Sequence, residues 1–176
     1  MQTENLLLTI LCPDKPGLIS AITAALFEWG INLGDTTFTI LGEGAEFTAV
    51  CEASTGMSAG DIEEHLHSVE ELQHADITVK PFSYSTAHKE SDKVTHQIVL
   101  QGQDQPGLVA RLTEVFVDYD ANIVRMDTRK LADAASSEYL IQLWVWIPEA
   151  RAEACLATVG STASLLNMRS VSSMAT

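Results

Sequence analysis

The sequence predicts an α+β protein that contains two copies of one unit, with elements in the order strand, helix, strand, strand, helix, strand. A repeat is the first observation behind this prediction. Residues 14–19 recur as residues 104–109, an offset of 90, and the pair that begins at Asn32 recurs at Asn122 with the same offset. The second observation is that the apolar spacing switches between strand and helix periods in the same order in each half.

The first strand and helix of each copy follow from apolar spacing. A run from Leu6 to Cys12 is short enough to be a strand. The next helix has Pro16 at its predicted first position and Gly30 as a left-handed stop. Its predicted inward residues are Leu18, Ile19, Ile22, Leu26 and Trp29, and those of the second copy are Leu108, Val109, Leu112, Phe116 and Tyr119.

The remaining elements complete the unit. Strands over about residues 31–41 and 46–53 are joined by a glycine-rich hairpin turn, and a last strand covers about residues 76–84. Between the third and the last strand, Ser58 and Asp61 predict a capping box at the start of the second helix. That helix is expected to bury Ile62, Leu66, Val69 and Leu72 and to expose Glu63, Glu64, Glu70 and Glu71.

This element order is that of ferredoxin-like folds, in which helices cover one face of an antiparallel sheet. A polar stretch without hydrophobic periodicity separates the two copies. We therefore expect a first domain over residues 1–84, a linker over residues 85–93 and a second domain over residues 94–176. In the second copy, Asp120 replaces the stop glycine, and Asp tolerates a left-handed conformation less well. We therefore do not expect the two copies to be equivalent as binding sites.

Charge excludes several classes of function. The 176 residues contain 10 Lys and Arg against 24 Asp and Glu, a net charge of −14, which disfavours direct binding to nucleic acid or anionic lipid. The chain has no run of about 18 to 20 apolar residues and no signal-like start, so we expect a soluble cytoplasmic protein. Cys12, Cys51 and Cys155 are predicted to be reduced core thiols.

Metal and catalytic chemistry find little support. The spacing of His65 and His67 sends them in different directions on a helix, and His88 lies in the linker. His67 and His74, seven residues apart, would share a helix face, but no cysteine supports a metal site there, so solvated surface histidines are the preferred interpretation. No nucleophile motif or phosphate-binding loop is present. We predict no catalytic residues, no metal and no cofactor.

The turn between the first strand and helix is the candidate ligand site. In the motif Asp-x-Pro-Gly, glycine lets a ligand approach the backbone, and the first amides of the helix favour an anion such as a carboxylate. Asp14 and Asp104 could each cap the helix or pair with a ligand's ammonium group. An ordinary turn-and-cap signal is the alternative, but the duplication of the motif favours a site.

The repeated motif, followed at the same distance by Asn32 and Asn122, resembles that of ACT domains over nearly the whole chain. The resemblance implies amino acid binding at domain interfaces near this turn, and regulation in place of catalysis. The ligand-binding residues that it implies are Asp14, Lys15, Pro16, Gly17, Leu18, Asn32, Asp104, Gln105, Pro106, Gly107, Leu108 and Asn122.

Two ACT domains without a fused enzyme, together with residues 41–47, resemble a subgroup of transcriptional regulators. This implies a small amino acid ligand, with glycine as a candidate, and a separate DNA-binding activator as protein partner. A detached regulatory subunit of an amino-acid or one-carbon enzyme is the alternative.

One strand of the second copy predicts an interface. Over residues 139–147, alternate side chains face the helices, and the opposite face carries Leu140, Trp144 and Trp146. Such an apolar face suggests contact with the first copy, with a second chain in a homodimer, or with another protein. Coverage by the linker or the tail is the alternative.

Overall fold

The chain divides into two compact units, one ending at Ser85 and the next beginning at Thr86. The computed structural model describes residues 3–133 and 136–175, without the side chains of residues 132, 133, 136 and 137. The predicted linker over residues 85–93 contains a 3₁₀ turn at Glu90–Asp92.

The first unit has the predicted element order. Its helices and strands are β1 (Thr3–Pro13), α1 (Leu18–Glu28), β2 (Asn32–Leu41), β3 (Gly44–Ser54), α2 (Ala59–His67) and β4 (Asp76–Pro81). The strands lie in the order β2-β3-β1-β4, and every neighbouring pair is antiparallel. The hairpin between β2 and β3 closes through the two residues Gly42 and Glu43, since Leu41 pairs directly with Gly44.

Alternation along β1 and β3 builds the core of this unit. Leu8 and Ile10 on β1, and Phe47 on β3, are at most 2% exposed, and the residues between them point to the other face of the sheet. The helices close this core with Ile22 and Leu66. The outer face of β3 is largely polar, since it presents Glu46, Thr48, Val50 and Glu52 there.

Helix α1 begins later than the sequence predicts. Gly17 is its N-cap, with a left-handed φ of 88°, so Pro16 precedes the cap and is not the first helical residue. The chain can turn into the helix at this point because glycine has no Cβ to clash at positive φ. At the other end, Gly30 has a φ of 68°, and the Ile31 amide donates to the Leu26 carbonyl, which completes the predicted stop.

The capping box of α2 is confirmed. The Asp61 amide donates to Ser58 Oγ at 3.1 Å, and the Ser58 amide donates to Asp61 Oδ2 at 3.2 Å. The helix ends at His67, however, and Leu72 reaches the core from a separate 3₁₀ turn at Glu70–Leu72.

Some side chains occupy an environment other than the one that the sequence predicts; Glu71, for example, is half-buried and not fully exposed. Glu63 is half-buried and not fully in water, because its Oε1 accepts a hydrogen bond from the Val79 amide at 2.8 Å. Ile19 is 44% exposed, and Ala25 takes the buried position on α1 in its place.

The second unit repeats the topology. Its helices and strands are β5 (His96–Gln103), α3 (Leu108–Asp118), β6 (Asn122–Asp133), β7 (Ser136–Trp146), α4 (Ala152–Leu165) and β8 (Met168–Met174). The strand order is β6-β7-β5-β8, with antiparallel neighbours. The predicted pair of ferredoxin-like units is therefore confirmed. Asp120 takes a left-handed φ of 51° where the first unit has glycine, so the substitution does not change this turn.

Strand β7 has the predicted two faces. Ile141, Leu143 and Val145 are at most 1% exposed and lie in the core, whereas Trp144 and Trp146 lie on the opposite side of the sheet. Of the helices that the structure describes, none combines the length and apolar composition needed to cross a membrane.

Candidate functional site

The β1–α1 turn of the first unit is held by its backbone. The Asp14 amide donates to the Glu43 carbonyl at 2.9 Å, which ties the turn to the neighbouring hairpin. Helix α1 has no side-chain cap, so the Asp14 carboxylate does not cover the helix start. Among the described residues, neither Asp14 nor Lys15 takes part in an ion pair. The turn therefore presents an acid and a base, both exposed, at adjacent positions.

A shallow cavity of about 160 Å³ lies at this turn. It is lined by Asp14, Lys15, Gly17, Leu18, Ile19, Ser20 and Phe38. Leu18 is buried, Phe38 on β2 is half-buried, and the other lining residues are exposed, so the cavity has an apolar wall and a charged rim. Pockets for drug-sized ligands hold about 300 to 1,000 Å³, so this one suits a smaller molecule.

The start of α1 supplies donors to this cavity. The Ala21 amide makes the first helical hydrogen bond, to the Gly17 carbonyl at 3.0 Å, so the amides of Ile19 and Ser20 precede the helical ladder. The positive end of the helix dipole lies at the same place. A carboxylate is favoured at these amides and an ammonium group at Asp14, which together are the two charges of an amino acid.

Asn32 lies away from this cavity. Pro13, at the end of β1, pairs with Gly44, whereas Asn32 pairs with Glu52 at the level of Asn5. Eight strand residues separate the two levels, or about 27 Å at about 3.4 Å per residue. The Asn32 side chain donates to Glu52 Oε2 at 3.3 Å. The role of Asn32 in ligand binding stays a prediction, because within the first unit Asn32 lies far from the β1–α1 turn.

The corresponding turn of the second unit is tied down by its own side chains. Gly107 again caps the helix, with a φ of 78° and no side-chain cap. Here Lys130 Nζ lies 2.7 Å from Asp104 Oδ2, and Gln105 Nε2 donates to the Leu166 carbonyl at 2.6 Å. The hydrogen bond and the charge of Asp104 raise the pKa of the Lys130 ammonium. The two predicted sites therefore differ: the acid of the second turn is in an ion pair, whereas Asp14 takes part in none among the described residues.

The other predicted residues of this turn follow the first unit. Leu108 is buried, and Pro106 is exposed. Asn122 again begins its strand at the far end of the sheet, level with Trp146, and its Nδ2 donates to the Ser91 carbonyl at 2.9 Å.

The predicted interface residues share one face of β7. Leu140, Trp144 and Trp146 are each half-buried, and the Arg125 guanidinium lies 4.6 Å from the ring centre of Trp144. Such a contact between a cation and an aromatic ring stabilises by about 0.5 to 1 kcal/mol at an exposed site. The binding role of these three residues stays a prediction.

The cysteines lie in the cores. All three thiols are buried, and burial raises the pKa of Cys51 to about 11 and raises those of Cys12 and Cys155. Thiols held protonated in this way are poor nucleophiles and poor metal ligands.

His65 is not a solvated surface residue. It is half-buried, its ring stacks on Trp29 at 4.2 Å between ring centres, and its Nε2 lies 3.2 Å from the Ala25 carbonyl oxygen. This contact joins α2 to the end of α1. Within residues 3–133 and 136–175, no group of three or more His, Cys, Asp or Glu could hold a metal ion.

The repeated motif does not predict Phe38, Ser20 or Lys130 as residues of these turns. The repeat offset of 90, extended from the motif into the following strand, could have pointed to two of them, because it aligns Phe38 with Thr128 and Ile40 with Lys130. Lys130 therefore stands out as a cation that the first copy lacks.

Comparison with known proteins agrees with the fold and indicates a relative. No family model matches the sequence. The chain is 27% identical over 144 residues to the glycine cleavage system transcriptional repressor of Escherichia coli K12, covering 81% of this chain and 72% of that protein. The Shigella flexneri protein of the same name matches equally.

Two solved structures share the fold along almost the whole chain. An unknown protein from Galdieria sulphuraria has a TM-score of 0.73 and 16% identity, covering 99% of this chain and 100% of that one. A candidate glycine cleavage system transcriptional repressor has a TM-score of 0.72 and 14% identity, covering 99% of each chain. The likeness to the E. coli protein supports a regulatory role. The chain therefore consists of two ferredoxin-like units and is similar in sequence to the glycine cleavage system transcriptional repressor of E. coli.

Proposed function

We propose that the chain is a non-enzymatic regulatory protein that senses a small amino acid, with glycine as the first candidate, and modulates a DNA-binding transcription factor in the cytoplasm. The exposed Asp14 carboxylate, unpaired among the described residues and next to the open amides of α1, is the observation that carries the proposal. The similarity to a transcriptional repressor supports the regulatory part.

The geometry suits the charges that all amino acids share. The ligand's ammonium group pairs with Asp14, and its carboxylate meets the Ile19 and Ser20 amides and the Lys15 ammonium. The volume of about 160 Å³ suits a small amino acid, and Phe38 and Ile19 are placed to contact a small apolar side chain. Glycine, alanine and serine are therefore the first ligands to test.

The charge of the chain supports action through another protein. A net charge of −14 repels the phosphate backbone, so control of transcription is exerted through a partner that binds DNA itself. Ligand binding can alter that partnership only if the ligand has different affinities for the free and the partner-bound chain.

Calorimetric titration of the purified chain with glycine, L-alanine and L-serine tests the ligand. We expect binding of at least one of them, and Asp14→Asn should weaken it at least tenfold, about 1.4 kcal/mol, since a charge-assisted hydrogen bond is lost. Asp76→Asn is the matched control, because Asp76 is an exposed acid of the same unit at the start of β4. Full affinity in Asp14→Asn would contradict the proposed site.

Affinity purification from cell extract, with and without the amino acid, tests the partner. A transcription factor whose retention changes with the ligand is the expected result. Specific retention of an amino-acid or one-carbon enzyme would instead favour a detached regulatory subunit. Turnover of a substrate by the purified chain alone would overturn the non-enzymatic assignment.

A further inference from the structure

On the basis of the function proposed above, we propose that the two repeats are functionally unequal: Lys130 places its own ammonium group on Asp104, where a ligand's ammonium group would meet Asp14 in the first unit. The second turn is in this sense already occupied by the chain. The amino acid is therefore sensed first at the β1–α1 turn of the first unit.

The strand register shows that Lys130 and Ile40 occupy the same position of the fold. Each lies two residues after an equivalent pair, since Phe38 is opposite Phe47 and Thr128 is opposite Ile141. In both units one extra residue bulges the same strand at its start, and both strands follow the repeat offset of 90. Ile40 and Lys130 therefore occupy equivalent positions in the two units.

The consequence for the acidic residue of each turn is direct. In the second unit the Lys130 Nζ–Asp104 Oδ2 distance is 2.7 Å, and the Asp104 side chain is 28% exposed. In the first unit the equivalent strand residue is Ile40, which is 52% exposed and carries no charge. Asp14 thus receives no cation from β2 and keeps its carboxylate available for one from solution.

Two further differences act in the same direction. The residue after the acid is Lys15 in the first unit, a cation at the rim of the cavity, but Gln105 in the second, whose amide is bonded to the Leu166 carbonyl at the end of α4. The apolar wall supplied by Phe38 is replaced by the exposed Thr128. The second turn therefore lacks a cation at the position of Lys15 and lacks the aromatic wall.

The effect of the ion pair on affinity has an upper bound. An exposed ion pair weakens the binding of a ligand that must displace Lys130 by up to about fivefold. The absence of a cation at the position of Lys15 and of the aromatic wall adds to this. We therefore expect the second turn to bind the ligand several-fold more weakly than the first.

Site-resolved nuclear magnetic resonance can measure both turns in one sample. The backbone amides of Gly17 and Gly107 lie in the two turns and report each one separately during titration with glycine, or with L-alanine or L-serine if glycine causes no shift. In the wild-type chain the Gly17 midpoint should lie several-fold below that of Gly107. Lys130→Ile should lower the Gly107 midpoint by up to about fivefold, and Ile40→Lys should raise the Gly17 midpoint by a similar factor.

Lys93→Ile is the matched control, since it removes an exposed lysine of the second unit that lies outside the turn and should leave both midpoints unchanged. Equal midpoints in the wild-type chain, or an unchanged Gly107 midpoint in Lys130→Ile, would overturn the inequality of the repeats and leave the proposed function standing. If none of the three amino acids shifted Gly17 or Gly107 in the wild-type chain or in Lys130→Ile, the proposed function would fail, and this inference with it.

Discussion

Gly102 on β5 is the position where the structure makes a sharp prediction about packing. A Cβ added there would lie 2.7 Å from the Asn167 carbonyl oxygen and 2.9 Å from the Met168 Cα. Both are backbone atoms, and Gly102 pairs directly with Met168 across the β5–β8 ladder. The substitution Gly102→Ala must therefore push the start of β8 away from β5, because no side chain can rotate to relieve either contact.

The expected destabilisation follows from these distances. Contacts of a real Cβ under 3.0 Å are essentially never seen, so β8 has to move by a few tenths of an ångström at least. Inserting a methyl group into a packed region costs about 1 to 3 kcal/mol when the surroundings must shift. We take about 2 kcal/mol as the expected loss in the free energy of unfolding of the second unit.

Hydrogen exchange resolved by peptide is the assay, because it reports the two units separately. A loss of about 2 kcal/mol should speed exchange in β5 and β8 about thirtyfold, while β1 and β4 change little. Gly44→Ala is the control, since its added Cβ would meet its nearest atoms at an ordinary 3.5 and 3.6 Å. If the exchange rates of β5 and β8 in Gly102→Ala were within about twofold of those in Gly44→Ala, the steric reasoning would be refuted.

Two further predictions concern stability. In denaturant titrations, Ser58→Ala should lower the free energy of unfolding by about 1 kcal/mol, because it leaves the Asp61 amide without its hydrogen-bond acceptor. Ser58→Asn should retain most of the wild-type stability, since asparagine is also a good N-cap residue. Raising the pH from 9 to 11 should also destabilise the chain. Burial raises the pKa of the Cys51 thiol from its ordinary 9.0 to about 11 in the folded chain, so the unfolded chain binds fewer protons in that window. The slope due to this thiol is at most about 1.4 kcal/mol per pH unit, and Cys51→Ala should remove it; an identical slope in that variant would contradict the assignment.

Much of the fold could be predicted because local signals and the repeat agree with the tertiary structure. The Ser58–Asp61 box, the left-handed Gly30 and the alternation along β7 each depend on near neighbours in the chain, and each is found. The helix start at Pro16 was wrong by two residues, because a left-handed glycine N-cap satisfies the turn and leaves proline outside the helix.

Long-range partners were beyond local patterns. Nothing near Glu63 in the sequence indicates that the Val79 amide lies within hydrogen-bond distance, and nothing near Ile19 shows that α1 turns it toward solvent. The ion pair between Lys130 and Asp104 joins residues 26 positions apart, and it depends on the strand register, which spacing alone does not fix.

The left-handed glycine that opens α1 and α3 has a consequence for how such sequences are surveyed. Both copies need glycine at this place for a steric reason, at φ of 88° and 78°, whether or not anything docks beside it. Counting Asp-x-Pro-Gly signatures would thus overestimate how many effector molecules a chain of this kind carries. Under the inequality proposed above, Lys130 on β6, 26 positions after Asp104, decides whether the second turn is open to a ligand.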